Sequence, residues 1–316
     1  MSKPFIRQDV QAFLTAHTAQ GSIDFSRLTA FELRNMIAAM RKNVEPPVIA
    51  KTANIAIPTP DGSTIPALLF DPRNDNRPSP LVVFFHGGGG SGDLDSHAHL
   101  CADIAIALHL PVIAVEYRLA PEAKWPAAPD DCEIATRWLA ANAHTSGREA
   151  TSLVLCGDSA GDNLAIVVAA KLRNSPAAGS VVAQLLLYPV TDMSRLYPSN
   201  HEFGDGLYLT QQSLDWMTEQ YGADVHDVRV SPLLGKLANM PSALVVAAGL
   251  DPLRDQARAY VSALVAQGVD AAYQEVHSNL HGFATLRNIV PSSERDLQNI
   301  LSRFKTMLAG LTDDVL

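Results

Sequence analysis

Cysteine is scarce in this sequence of 316 residues. The three cysteines, Cys101, Cys132 and Cys156, are an odd number and show no CxxC spacing. Such a sparse set argues against a disulfide framework, and a chain of this length can bury enough surface to fold without one. We therefore predict that these side chains behave as small buried apolar groups in a reducing compartment.

Positively charged residues are also few, and long apolar runs are absent from the sequence. The 24 lysines and arginines are outnumbered by 33 aspartates and glutamates, the net charge is −9, and no Lys/Arg run is present. This composition argues against a nucleic-acid-binding protein. The sequence has no stretch of about 20 apolar residues, the length needed to span a bilayer. The opening sequence MSKPFIRQDV lacks the apolar segment of a signal peptide. We expect a cytoplasmic protein without nucleic-acid or membrane partners.

The sequence does contain a regular alternation of strand-like and helix-like segments. Eight short β-branched or apolar runs are predicted strands: Asn54–Ile57, Ile65–Phe70, Leu81–Phe85, Val112–Glu116, Leu153–Cys156, Ala183–Tyr188, Ala243–Ala248 and Ala272–Val276. Helices are predicted between the later runs, at His97–His109, Pro129–Asn142, Ala160–Leu172, Asp255–Gln267 and Ser292–Leu308. This order predicts an α/β fold with a mostly parallel sheet and helices on both faces. A turn at Asp61-Gly62 predicts that the sheet begins with an antiparallel hairpin.

Two segments depart from this alternation. Residues 5–45 have apolar positions at roughly helical spacing, and Glu45-Pro46-Pro47 ends them because proline cannot continue a helix. From Thr191 to about Ser231 there is no clear strand and one helical patch, Gln211–Gln220. In an α/β protein, so long an excursion is typical of a lid or binding segment.

The segment Gly157-Asp158-Ser159-Ala160-Gly161 lies between a predicted strand and a predicted helix. This is the G-x-S-x-G pattern of a nucleophilic serine in the context that it requires. A serine at so sharp a turn has a strained backbone, so the residues two positions away must be small. The N–H of Ala160 and the positive end of the helix dipole would then face a developing oxyanion.

A second glycine-rich segment, His86-Gly87-Gly88-Gly89, follows the predicted strand Leu81–Phe85. Glycines allow backbone N–H groups to approach a ligand closely, and together with the Ala160 N–H these groups could supply an oxyanion hole. Because Gly90-Ser91-Gly92 extends the run, a flexible linker is the alternative interpretation.

The remaining members of a catalytic triad should follow the serine in the order acid, then histidine. Asp251 comes after the strand Ala243–Ala248, and His281 comes after the last predicted strand. Residue spacing leaves two competitors open, because His277 lies four residues before His281 and Asp255 lies four residues after Asp251.

Taken together, these motifs resemble the hormone-sensitive-lipase-like (bacterial family IV) carboxylesterases of the α/β-hydrolase superfamily. The matching segments cover about residues 80–285 in the family's order: HGGG at 86–89, EYRLAPE at 116–122, WPAAPDD at 125–131, GDSAG at 157–161, DPLRD at 251–255 and HGF at 281–283. The resemblance implies a catalytic triad formed by Ser159, Asp251 and His281. It also implies an oxyanion hole formed by Gly88, Gly89 and Ala160.

The resemblance also implies a domain organisation. Residues 1–45 would be N-terminal cap helices, residues 46–190 and 226–316 the α/β-hydrolase core, and residues 191–225 a second cap segment. Family members often dimerise through the last strand, here near Ala272–Val276. Two positions depart from the family pattern: Gly90 replaces a residue that is often bulky, and Asp162 replaces a common glycine.

The predicted function is hydrolysis of short- to medium-chain acyl esters through an acyl-enzyme, without a metal or organic cofactor. His97, His99 and Cys101 resemble a metal cluster only superficially. Apolar residues of the second cap segment either line an acyl pocket or merely pack the cap onto the core: Phe203, Leu207, Tyr208, Leu209, Trp216 and Met217. The alternatives are a triad acting on lactone, amide or carbamate bonds, and a non-catalytic small-molecule-binding member of the fold.

Overall fold

The computed structural model describes residues 4–19, 21, 28–41 and 45–312. It contains eight strands: Lys51–Pro58 (β1), Thr64–Asp71 (β2), Ser79–Phe85 (β3), Val112–Val115 (β4), Ala150–Asp158 (β5), Val181–Leu187 (β6), Ser242–Leu250 (β7) and Ala271–Leu280 (β8). They form one sheet in the order β1-β2-β4-β3-β5-β6-β7-β8. The predicted eight-stranded sheet is confirmed.

Strand β2 runs antiparallel to both of its neighbours, β1 and β4. All the other pairs of neighbouring strands are parallel. The reversal begins at the hairpin between β1 and β2, where Gly62 has a φ of +87°. Its N–H donates to the Thr59 carbonyl at 3.0 Å. The antiparallel start and the mostly parallel remainder agree with the sequence prediction.

Ten α-helices lie within the described ranges: Gln8–Ala19 (α1), Ala30–Arg41 (α2), Leu94–Leu108 (α3), Ala127–Ala141 (α4), Ala160–Asn174 (α5), Pro198–Phe203 (α6), Gln211–Tyr221 (α7), Arg254–Ala266 (α8), Phe283–Leu286 (α9) and Pro291–Ala309 (α10). Two short 3₁₀ helices cover Ala143–Ser146 and Pro232–Leu234. In the part of the chain described, no helix combines the length and apolar character needed to cross a bilayer.

Helices cover both faces of the sheet. On one face, α4, α5 and α8 pack in a hydrophobic core that includes Leu155 of β5 and Val245 of β7. On the other, α3 and α10 pack against Val154 and Val246 of the same two strands. Because successive side chains of a strand point to opposite faces, these central strands are buried on both sides.

The short helix α6 was not expected from the sequence, whereas the five helices predicted for the core are present with ends shifted by at most three residues. Helix α6 has only six residues, with proline at its first position, and is too short to show a helical period. Residues 5–45 contain α1 and α2, and part of the predicted helical segment lies outside the described residues.

Candidate active site

Ser159 lies at the turn between β5 and α5, with a φ of 54° and a ψ of −116°. This conformation is rare for a residue with a side chain and persists only when the surrounding structure enforces it. The Ser159 N–H donates to the Leu187 carbonyl at 2.9 Å, and the Ser159 carbonyl accepts from the N–H groups of Asp162 at 3.2 Å and Val190 at 3.4 Å. Hydrogen bonds on both sides of the turn therefore hold the strained residue in place.

The two glycines that flank the serine are required by close backbone contacts. A Cβ atom on Gly161 would lie 1.9 Å from the carbonyl oxygen of Phe85, and one on Gly157 would lie 2.6 Å from the carbonyl carbon of Gly161. Real Cβ contacts are never this short, so any larger residue would force β3, β5 and α5 apart. This is the physical reason for small residues on both sides of Ser159.

His281 connects Ser159 to Asp251. Its Nε2 lies 2.8 Å from the Ser159 Oγ, and its Nδ1 lies 2.7 Å from the Asp251 Oδ2. The other carboxylate oxygen of Asp251 accepts from the Leu253 N–H at 2.8 Å, and the Asp251 side chain is almost fully buried. With the Nδ1 proton donated to the carboxylate, Nε2 is free to accept the hydroxyl proton.

Two aromatic residues lie close to the histidine loop. The ring of Tyr188 lies 4.8 Å from the His281 ring between centroids. Gly282, which has a φ of +75°, turns the chain into α9, and a Cβ atom there would lie 3.6 Å from the ring of Tyr208. The imidazole therefore packs against Tyr188, and Tyr208 lies beside the glycine that follows the histidine.

The geometry separates these residues from the competitors that spacing left open. The side chain of His277 is 83% exposed and faces the carboxylate of Glu275 at 3.4 Å. Asp255 accepts hydrogen bonds from the Ser199 N–H at 3.0 Å and from Arg254 and Arg258 at 2.9 Å. Neither side chain takes part in the hydrogen-bonded series that contains Ser159.

The loop after β3 lies beside the turn at Ser159. The Gly87 N–H donates to the Asp158 carboxylate at 2.7 Å, which ties the loop to the residue directly before Ser159. Gly88 and Gly89 have φ values of +100° and +54°, which favour glycine. Among the described residues, the N–H groups of Gly88, Gly89 and Ala160 donate to no protein acceptor. They remain available to a ligand oxygen.

A buried ion pair supports this loop from the side of α3. His97 Nε2 lies 3.0 Å from the Asp158 carboxylate, and both side chains are buried. Burial disfavours the charged form of each residue. The opposite charge of the partner outweighs this effect, so the pKa of His97 is raised and that of Asp158 is lowered. The sequence alone does not reveal this pair, although the carboxylate directly before Ser159 marks the position of one partner.

The other members of the apparent metal cluster point elsewhere. His99 Nε2 bonds to the Glu45 carbonyl at 2.8 Å, and Cys101 is a fully buried free thiol. In the portion of the chain that the structure describes, no group of three or more His, Cys, Asp or Glu side chains is arranged to hold a metal ion.

Asp162 departs from the family pattern in a way that the structure makes explicit. Its side chain has 0% exposure, and within the described ranges neither carboxylate oxygen has a hydrogen-bond partner. Burial and, secondly, the charge of Asp158 raise the pKa of Asp162 well above its usual range. Burial therefore disfavours the ionised form of this carboxyl group in the first turn of α5.

The predicted pocket residues of the second cap segment divide into three groups. Phe203 is 2% exposed and packs with Val10 and Leu14 of α1 in a hydrophobic cluster that Leu207 borders. Both residues therefore take the packing role that the sequence left open. Tyr208 contacts the turn at Gly282, while the sulfur of Met217 lies so close to Gly89 that a Cβ atom there would be 2.2 Å from it. Leu209 and Trp216 are half-buried.

Comparison with known proteins agrees with this geometry. A family model described as alpha/beta hydrolase fold, Abhydrolase_3, matches residues 82–285. The chain is 36% identical to an ethyl acetate hydrolase of Pseudomonas putida, over 81% of this chain and 83% of that protein. It is 30% identical to a carboxylesterase of Mycobacterium tuberculosis, over 96% of both chains.

Solved structures show the same relationship. A hyperthermophilic esterase from the archaeon Pyrobaculum calidifontis superposes with a TM-score of 0.88 at 30% identity, covering 96% of this chain and 99% of that one. The strand order, the arrangement around Ser159 and these matches lead to one conclusion: the chain belongs to the hormone-sensitive-lipase-like family of α/β hydrolases.

Proposed function

We propose that this chain is a serine carboxylesterase that hydrolyses short- to medium-chain acyl esters through an acyl-enzyme intermediate. The observation that carries the proposal is the continuous series from the buried Asp251 through His281 to Ser159, with distances of 2.7 and 2.8 Å. Both curated relatives described above are named as ester hydrolases, and one is named for ethyl acetate, a short acyl ester.

The reaction has two halves. In the first, Ser159 Oγ attacks the ester carbonyl while His281 Nε2 accepts the hydroxyl proton; the tetrahedral intermediate then collapses, and the alcohol leaves with that proton. In the second, water attacks the acyl-enzyme by the same route and releases the acid and the free serine. Asp251 holds the imidazole tautomer and stabilises the imidazolium form.

The oxyanion formed in each half needs donors that are already in place. We assign this role to the backbone N–H groups of Gly88, Gly89 and Ala160. Support comes from their lack of protein acceptors among the described residues and from the Gly87–Asp158 bond, which holds the loop beside the nucleophile. Removing one such donor typically costs about 10²–10³ in kcat.

We also propose that residues 1–45 and 191–225 cap a core formed by 46–190 and 226–316. Contacts between the described parts support this division. Phe13 of α1 and Tyr208 have ring centroids 5.5 Å apart, so the two cap parts touch each other. Tyr208 lies over the histidine turn and Met217 over Gly89. With Phe203 and Leu207 engaged in packing, Tyr208, Leu209, Trp216 and Met217 remain the candidates for the acyl pocket.

The proposal is tested by hydrolysis of p-nitrophenyl esters of increasing acyl length. The Ser159→Ala variant should lose on the order of 10⁶-fold in kcat on the butyrate ester. Ser175→Ala, an exposed serine at the opposite end of α5, should retain wild-type activity. Equal, near-background rates for wild type and Ser159→Ala would indicate a non-catalytic binding protein. Faster cleavage of palmitate than of butyrate would refute the preference for shorter chains.

A lactone, an aryl amide and a carbamate belong in the same series, because the acyl-transfer machinery is shared among these bonds. If any of them is turned over faster than the best ester, that compound class replaces the ester as the proposed substrate.

Two further proposals concern the protein as a whole. A cytoplasmic location is supported by three unpaired buried thiols, and fractionation would test it. A homodimer is supported by β8, whose outer edge has no neighbouring strand in the described sheet; a monomeric mass by light scattering would reject it.

A further inference from the structure

Arg34 of cap helix α2 binds the glycine loop that follows β3. Its Nε donates to the Gly90 carbonyl at 2.8 Å, and one terminal nitrogen donates to the Ala120 carbonyl at 2.7 Å. The two terminal nitrogens also bond to the Glu122 carboxylate at 2.8 and 2.9 Å. A planar guanidinium with donors in fixed directions can satisfy all these acceptors at once. Nothing in the sequence pattern of α2 indicates this role.

The bond to Gly90 also fixes the direction of the next N–H group. In a trans peptide, the C=O of one residue and the N–H of the next point in opposite directions. With the Gly90 carbonyl directed at Arg34, the Ser91 N–H points the other way and donates to the Gly88 carbonyl at 3.0 Å. The Ser91 hydroxyl donates to the same carbonyl at 2.5 Å.

The same rule applies once more at the Gly88–Gly89 peptide. Since the Gly88 carbonyl is directed at Ser91, the Gly89 N–H must point away from Ser91. The three residues Gly88, Gly89 and Gly90 have φ values of +100°, +54° and +92° and no side chains to restrict them. Glycines have the largest conformational freedom to lose, so the direction of this N–H depends on outside contacts.

We propose that Arg34 is a positioning residue for the ester hydrolysis described above. Through the Gly90–Ser91 and Gly88–Gly89 peptide groups, which the Ser91–Gly88 hydrogen bond joins, it sets the orientation of the Gly89 N–H, one of the assigned oxyanion donors. The inference rests on the proposed function, because it concerns the same site. It also gives α2 a role beyond covering the site: the docking of this helix determines whether a donor faces the reacting carbonyl.

A donor that acts on the developing oxyanion affects the transition state more than the bound substrate. Loss of the Arg34 contacts should therefore lower kcat on p-nitrophenyl butyrate while leaving KM nearly unchanged. We expect a decrease between about 10-fold and 100-fold, because the donor would be misaligned rather than deleted.

The experiment compares three variants of the full chain. Arg34→Ala removes all the contacts. Arg34→Lys keeps the positive charge beside Glu122 but lacks the fixed fork that reaches both carbonyls, so its kcat should fall by a similar factor even if the alanine variant folds poorly. Glu122→Gln is the matched control: it removes the exposed ion pair and leaves the two carbonyl contacts, so kcat should stay within about twofold of wild type.

Several outcomes would overturn the inference. Wild-type kcat in Arg34→Lys would show that the fork does not orient the donor. An equal decrease in Glu122→Gln would show that the ion pair, and hence cap docking alone, is responsible. A rise in KM at unchanged kcat would place Arg34 in substrate binding instead. If the wild type itself shows no Ser159-dependent hydrolysis, the proposed function fails as well; unaffected Arg34 variants of an active wild type overturn this inference alone.

Discussion

Asp162 places a carboxyl group in the first turn of α5, with no exposure to solvent and no hydrogen-bond partner in the described structure. Because burial, with the charge of Asp158, raises its pKa, the folded protein keeps this proton at pH values where the unfolded chain has released it. The folded state then binds more protons than the unfolded state. Stability must fall as the pH rises from the ordinary aspartate pKa towards the raised one.

The variant Asp162→Asn should remove this cost, since an amide of the same shape does not ionise. We expect its free energy of unfolding in urea to exceed that of the wild type at pH 8 and the difference to shrink towards pH 4. Asp205→Asn, at an exposed position, should show no such pH-dependent difference. A variant less stable than wild type at pH 8 would mean that the wild-type carboxyl is ionised and paired.

Residue-scale features of the site differ in how far the sequence could predict them. The position of the proposed nucleophile follows from local sterics, because only a glycine-flanked turn accommodates a serine in this conformation. The position of the proposed base does not follow from local sequence. Strand β8 continues to Leu280, beyond the predicted end at Val276, so His277 lies within the strand and points to solvent, whereas His281 follows the strand end. That extension depends on pairing with β7, a long-range contact that no local pattern shows.

At the scale of elements, the site depends on how closely α5 approaches β3. Gly161 is the second residue of α5, and its Cα meets the Phe85 carbonyl at the end of a completely buried strand. Alanine is normally the better helix former, so the glycine is retained for space rather than for helix stability. The contact places the loop after β3 beside the loop after β5, where both segments of the proposed oxyanion hole begin.

Replacement of this glycine should therefore be damaging. We expect Gly161→Ala to lower the free energy of unfolding by about 1–3 kcal/mol, the usual cost of overpacking. It should also reduce kcat, because the turn that carries Ser159 would shift. Gly179→Ala is the matched control, because a Cβ there has its nearest neighbour at 3.7 Å, an ordinary contact. Its stability should change by no more than about 0.5 kcal/mol. Equal effects of the two substitutions in urea unfolding would contradict the steric explanation.

The elements themselves were largely predictable, since strands buried on both faces form short continuous apolar runs, whereas the helices have apolar residues at a helical period. The segment between β6 and β7 was less so. Helix α6 is short, and Phe203 at its end is buried against α1, a part of the chain far away in sequence. An apolar residue of this segment has the same appearance in sequence whether it packs against another helix, as Phe203 does, or lies beside the glycine loop, as Met217 does.

At the scale of the whole molecule, the core on both faces of the sheet encloses all three thiols. Cys132 belongs to one face of the core, and Cys101 and Cys156 belong to the other. Each is fully buried, and burial raises the pKa of each thiol well above its usual value. The reactive species is the thiolate. Neither charge nor access therefore favours reaction in the folded state.

We predict that Ellman's reagent labels none of the cysteines of the native protein over minutes and all three in strong denaturant. Ser175→Cys, at an exposed position, should add one rapidly reacting thiol and serves as the positive control. Rapid labelling of a native wild-type cysteine would show that the core opens locally on the time scale of the reaction.

The three residues of the hydrogen-bonded series come from widely separated parts of the chain: Ser159 and His281 are 122 positions apart, and Asp251 and His281 are 30 apart. Each follows a different strand, β5, β7 or β8, and β8 is the last strand of the sheet. A nascent chain that has left the ribosome only as far as α8 would contain Ser159 and Asp251 but not His281. We therefore expect hydrolysis to appear only after β8 and the proposed base that follows it have been synthesised.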